Sequence, residues 1–461
     1  MKTGKFRINF KPNINIIFKV ISLTLIFSFI AIKTNLHGAV DLNVLKEQEK
    51  LLAGRIEWPG FDPAAIPALI YDGVNSYLIN HPAPPDNFEK YNKMAGIYYF
   101  PGKHELVRAN TAVKIGGINT ACLDTDLSKN TDPVGIAAIL IHEKFHCYQL
   151  ANPANWGEGA NEFAVFEYPL ENPILLKLVY LEFRALFNAY DSKSVGDMQK
   201  WLKLAIGLRS EKYKTMPASC VSYERGIELM EGTAFYIQDK ASGNDPRKNL
   251  PDKIYLPNSV RIRAYITGSL LCNLLDRIDH DWKNRLNPKE GIYPDVIAQK
   301  SLLGDIQPCN FDPGFEAEEK TRAEKAVNAY LDGKLKLIDA FLKKPGYKII
   351  LKCGSRPLWP AGFDPMNMEK ISQTELLHKR WLKLEGDRAE MEILGIEALT
   401  EGAKDHPLFN GVKKITITGL VNKPDIIQEN QQIRIKNNNI SVKIEQGELE
   451  TKDGTYLIHL K

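Results

Sequence analysis

The 461-residue chain is short of several signatures, and each absence narrows the reading. No two of its six cysteines stand in a CxxC pair, which argues against a cysteine zinc site or a thioredoxin-type redox motif. No internal repeat and no low-complexity tract is present, which argues against a solenoid or a disordered array. The most apolar stretch, residues 20–32, holds thirteen apolar or small residues and is short for a membrane span. Residues 1–39 contain no Asp or Glu, yet carry Lys2, Lys5, Arg7, Lys11, Lys19 and Lys33. Those six account for the formal charge of +4: without them 54 basic residues face 56 acidic ones, a net of −2. The remainder has no electrostatic ground for binding nucleic acid.

A basic stretch followed by a short apolar core reads as a signal peptide over residues 1–39, with cleavage after Ala39. An uncleaved anchor is the alternative, and would be the chain's one tie to a membrane. In either case the rest of the chain is expected outside the cytoplasm, as a secreted, periplasmic or cell-surface protein. In that setting Cys122, Cys147, Cys220, Cys272, Cys309 and Cys353 permit up to three disulfides.

What remains has ordinary globular composition, 44% hydrophobic and 25% charged. Residues 40–130 are mixed, with Pro and Gly frequent and strands expected at 96–100 and 111–115. Residues 131–343 read as helical, with 316–344 a charged helix. Residues 344–461 turn toward strands, at 348–351, 414–418, 433–435 and 440–444. The expected fold is α+β: a mostly helical core with a small mixed sheet supplied by the N-terminal region, and a β-rich C-terminal domain.

The chemistry concentrates in HEKFH, residues 142–146. Asp132 is a good N-cap, Pro133 suits the first helical position, and Asn152-Pro153 stops the segment. On a helix, positions i and i+4 share a face, so His142 and His146 can aim at one ion. Glu143, one residue on, is rotated aside and can reach a water rather than the metal. A catalytic zinc needs a third protein ligand. No later His has the metzincin spacing, so a carboxylate is expected. One source is the segment holding Glu158 and Glu162. The favoured source is the segment 223–236, where Glu224, Glu228 and Glu231 fall at i, i+4 and i+7. Three acids on one stripe repel unless something positive faces them: a metal ion or a neighbouring Arg.

HExxH followed by a helix bearing Glu-Gly-x-Ala-x-Tyr (231–236) resembles the gluzincin metallopeptidases, notably the aminopeptidase-N-like and glycyl-aminopeptidase-like groups. The resemblance covers about residues 131–240. It implies a zincin-like catalytic core with Zn2+ held by His142, His146 and Glu231, and Glu143 as the base that activates water. It also implies a Tyr or His that steadies the oxyanion, here Tyr265 in preference to Tyr236. A peptide or protein substrate would lie between the strand region near 111–122 and the motif helix. Two features depart from the family pattern. Residues 147–230 separate the two helices, far more than is usual, and no Gly-Ala-Met-Glu-Asn segment is present. The expectation is therefore an exported zinc peptidase. The alternative is a non-catalytic binding or cell-surface interaction protein that retains a zincin-like helix. The other histidines, including His104, His280, His378, His406 and His459, read as structural or exposed, and Trp156 and Trp282 as core.

Overall fold

The computed structural model describes residues 41–128, 131–152, 156, 160–246, 252–302, 306–364, 367–403 and 407–461. The expected signal peptide, Glu158 and His406 lie outside the described residues. Among the described residues no helix is long and apolar enough to cross a membrane.

The chain is mixed α and β. Helix α1 (Leu42–Ala53) is capped by the Asp41 carboxylate, which accepts from the backbone N–H of Asn43 and Val44. Six strands follow: β1 (Ala68–Tyr71), β2 (Ser76–Ile79), β3 (Glu89–Lys90), β4 (Ile97–Phe100), β5 (Thr111–Ile115) and β6 (Ile118–Asp124). They form one sheet in the order β3-β4-β2-β1-β6-β5. The β1–β6 pairing is parallel, setting Ala68 opposite Ala121. Gly116 and Gly117, both at positive φ, close the β5–β6 hairpin, a two-residue turn that L side chains resist. β5 therefore lies at one edge of the sheet, with β6 one place in.

Helix α2 (Pro133–Ala151) carries HEKFH and lies on this sheet. Alternation along β1 and β6 sends Ala68, Ile70, Ala121 and Leu123 into the core that α2 fills with Ala137, Leu140, Ile141 and Phe145. Phe145 meets Trp58 edge-on at 4.9 Å and Trp156 at 5.7 Å. Lys144, buried within the motif, reaches back to pair with Glu49 of α1 and donates to the Pro63 carbonyl at 2.9 Å. The helix is thereby fastened on the side away from its histidines.

Helices α3 (Pro173–Asp191) and α4 (Val195–Lys214) form a hairpin. A continuous rod then runs through α5 (Ala218–Ile227), a π-helical turn (Glu228–Gly232) and α6 (Thr233–Ser242). It crosses α7 (Val260–Ile278), and α8 (Pro294–Ser301) and α9 (Pro313–Leu342) complete the helical part. The crossing is tight: a Cβ on Gly232 would sit 2.7 Å from the Gly268 Cα. Only glycines permit that approach.

Residues 347–460 form a seven-stranded and a six-stranded sheet. Their inward residues, such as Ile349, Leu351, Ile415 and Ile458 of one and Leu382, Met391, Ile433 and Val442 of the other, share a second core. Phe166 enters that core from a 3₁₀ turn (Glu162–Glu167) outside the two sheets. Lys370 fixes it by donating to the Phe166 carbonyl at 2.6 Å. All six cysteines are free thiols, five of them buried, so none of the permitted disulfides is formed in this structure.

Candidate metal centre

The helix that presents the histidines begins as its sequence requires. The Asp132 carboxylate accepts from the Gly135 N–H at 2.7 Å, and Pro133 occupies the first helical position. One turn apart on α2, the Nε2 atoms of His142 and His146 stand 3.1 Å from each other. Glu231 comes to them from the π-helical turn. Its Oε2 is 3.1 Å from the His146 Nε2 and 3.7 Å from the His142 Nε2.

These three atoms match what a small divalent cation asks for. Bonds of roughly 2.0–2.2 Å in a tetrahedron place donor atoms about 3.3 Å apart. The observed separations straddle that value, so His142, His146 and Glu231 could hold a metal ion. His142 is buried, and the side chains of His146 and Glu231 keep slight exposure, 15% and 12%.

Ordinary helical geometry would have sent Glu231 elsewhere. Glu224 and Glu228 lie on the other side of the rod. Both Glu228 oxygens accept from Arg209, at 2.6 and 2.7 Å, and Glu224 pairs with Lys212 at 2.8 Å. The wider π turn rotates Glu231 out of register with them and toward α2. Single π turns inside α-helices recur at functional sites. The positive partner expected for the acid stripe is thus an Arg and a Lys for two of the acids. Glu231 alone joins the histidines.

The surrounding contacts orient each donor. The Gln149 Oε1 lies 2.7 Å from the His146 Nδ1, and the Gln149 amide donates to the Met230 carbonyl and the Thr233 hydroxyl. An amide oxygen at Nδ1 leaves Nε2 as the free lone pair, which a metal ligand needs. Arg261 donates to the other Glu231 oxygen, Oε1, at 2.7 Å. It also pairs with Glu162, whose second oxygen accepts from the Tyr223 hydroxyl at 3.1 Å.

Burial shapes the electrostatics. It lowers the basicity of His142. It also opposes protonation of His146, but the charge and hydrogen bond of Glu231, with Glu143 and Gln149, outweigh it and raise that group to about 9. Glu231 is held well below the usual carboxylate range: burial works against this, and His146 and Arg261 prevail. Desolvation pushes Glu143 up to about 8, and no hydrogen-bond partner for it is found among the described residues.

The tyrosines separate. Tyr265 is fully buried, with its ring parallel to that of His142 at 6.5 Å and its hydroxyl beside Glu231 and Arg261. Tyr236 points away and donates to Asp276 at 2.8 Å, which also accepts from the Trp282 indole. Tyr236 is therefore not at the cluster. Glu162 is near it, paired with Arg261. Trp156 and Trp282 are core residues.

Comparison with family models, with curated proteins and with solved structures finds no match. The resemblance to gluzincins rests on the motif residues alone.

Proposed function

We propose that this chain is an exported zinc-dependent hydrolase with a zincin-like core, acting on peptide bonds. One observation carries the reading. Two Nε2 atoms and one carboxylate oxygen converge at metal-ligand spacing, and Glu143, buried and without a hydrogen-bond partner among the described residues, stands on the helical position after His142.

A bound zinc ion would supply Lewis acidity toward a substrate carbonyl and acidify water at the fourth position. His142 and His146 would hold it as neutral imidazoles, with Gln149 fixing the tautomer of His146. Glu143 would take the proton of the attacking water and return it to the leaving amine, a role suited to a carboxylate whose proton affinity is raised by burial. Tyr265 is the hydroxyl closest in kind to the oxyanion donor such a reaction needs. The edge strand β5, on the sheet beneath α2, is the natural place for an extended peptide to pair. Metal choice follows the donor set: two imidazoles and one carboxylate suit zinc better than calcium or magnesium, which prefer oxygen.

The test is cleavage of a mixed peptide pool by the purified protein, with and without a chelator, alongside Glu143→Gln. The reading requires chelator-sensitive cleavage that E143Q abolishes while retaining zinc. Full activity in E143Q would sink the mechanism. Zinc-free protein without cleavage would favour the non-catalytic alternative.

A further inference from the structure

We propose that Arg261, anchored by Glu162, is a positioning residue that makes Glu231 a one-oxygen metal ligand. The inference rests on the metal reading above and adds to it a residue that no ligand motif contains.

The geometry is that of a fork. One Arg261 nitrogen donates to Glu231 Oε1 at 2.7 Å, and another pairs with Glu162 Oε1. The Tyr223 hydroxyl occupies the remaining Glu162 oxygen at 3.1 Å. The chain Tyr223–Glu162–Arg261–Glu231 therefore ends on the one Glu231 oxygen that the histidines do not use. It leaves Oε2 alone turned to His142 and His146. Three elements supply it: α5 holds Tyr223, the 3₁₀ turn Glu162–Glu167 holds Glu162, and α7 holds Arg261. Arg261 is buried and stacked 5.7 Å from the Tyr265 ring, so the guanidinium has little freedom to leave.

The arrangement matters because a carboxylate can bind a cation through one oxygen or both. With Oε1 engaged by Arg261, only Oε2 is offered, and one coordination position stays open for water. A planar guanidinium holds two carboxylates in a fixed relative orientation; an ammonium can also touch two, as Lys212 does with Glu182 and Glu224, but as a point charge on a flexible stem it does not set their geometry.

The placement also has an electrostatic side that opposes it. A fixed positive charge beside a cation site repels the cation. If Arg261 acted only through its charge, Arg261→Met would bind metal more tightly and Arg261→Lys would match the unaltered protein. If it acts by positioning, both variants weaken binding.

The experiment is titration of metal-free full-length protein with Zn2+ and with Co2+, the latter followed by its visible absorption. It is run on the unaltered chain, R261K, R261M and Glu162→Gln, each first checked for folding by circular dichroism. Positioning predicts a dissociation constant raised roughly 10–100-fold in both R261K and R261M. It predicts an altered cobalt spectrum in both, and a smaller change in the same direction in E162Q. Should R261M fail to fold, R261K and E162Q decide the question. Unchanged affinity and spectrum in R261K, or tighter binding in R261M, overturns the proposal. An unaltered chain that takes up neither metal refutes the metal reading itself, which is a separate failure.

Discussion

The rod through residues 218–242 has buried carboxylates on two sides, and the two sides engage them differently. Behind it, Glu182, Glu224 and Glu228 meet Arg209 and Lys212. Each of their six oxygens has a cation or hydroxyl close by: Arg209 and Lys212 on Glu182, Arg209 twice on Glu228, and on Glu224 the Tyr168 hydroxyl at one oxygen and Lys212, as an ion pair without a hydrogen bond, at the other. In front of it, Glu143, Glu162 and Glu231 meet one arginine and two histidines, and Glu143 has no hydrogen-bond partner among the described residues. The rear cluster is closed and explains itself as structure. The front cluster converges on a point: two imidazole nitrogens and one carboxylate oxygen meet at metal-ligand spacing. Such convergence of donor atoms, with perturbed titratable groups beside it, marks a group that could hold a metal ion.

The predictions try to break that contrast, from the largest effect to the smallest. Glu143→Gln is expected to lower peptide cleavage roughly 10²–10⁴-fold with zinc content unchanged, measured by initial rates and metal analysis. Glu231→Gln should weaken zinc binding by more than the ~100-fold typical of an outer partner, while the fold persists. Glu228→Ala should do the reverse. It removes the carboxylate that pairs twice with buried Arg209, and about 3–5 kcal/mol of stability should go with it, read by denaturant unfolding. If the two variants behaved alike, the distinction between the clusters would fail. Chelation should lower the unfolding free energy of the unaltered protein by about 2.7 kcal/mol relative to zinc at 100-fold above its dissociation constant, and should leave E231Q unmoved. Gly268→Ala sets a Cβ 2.7 Å from the Gly232 Cα and from the Glu228 carbonyl oxygen. Its cost is expected to be about 1–3 kcal/mol, with metal affinity reduced because the crossing holds the π turn. Asp132→Ala should cost about 1 kcal/mol through the lost cap and leave the metal site intact.

Parts of this were legible before any coordinates. The start of α2 follows from Asp132-Pro133, and β5 occupies 111–115 as its alternation requires. The strand at 440–444 is likewise where its period places it. The i, i+4 histidines needed only helical geometry. The strands Ala68–Tyr71 and Ser76–Ile79 were not legible: they are buried runs at the centre of a sheet, without the alternation that marks a half-exposed strand. Strands such as Trp381–Gly386 and Ala389–Leu394 alternate apolar with Glu and Lys, but their charge content masked the signal. The stripe 224–228–231 was read on a regular helix, and the π turn breaks that register; Glu228 went to Arg209 and Glu231 to the histidines. Nothing local announces a π turn. Gln149 was within reach of a reading that asked what holds His146 three residues earlier. Glu162 stands out in the sequence only as a candidate ligand; its pairing with Arg261 is not legible there, because it spans 99 positions and exists only once α7 lies across the rod.

The central claim is that the front cluster is a metal site and the rear one is not. Its most direct measurement is zinc uptake by chelator-stripped protein, followed to saturation. The account predicts one equivalent per chain, lost in Glu231→Gln. No uptake by the unaltered protein, or one equivalent still bound tightly by E231Q, would contradict it.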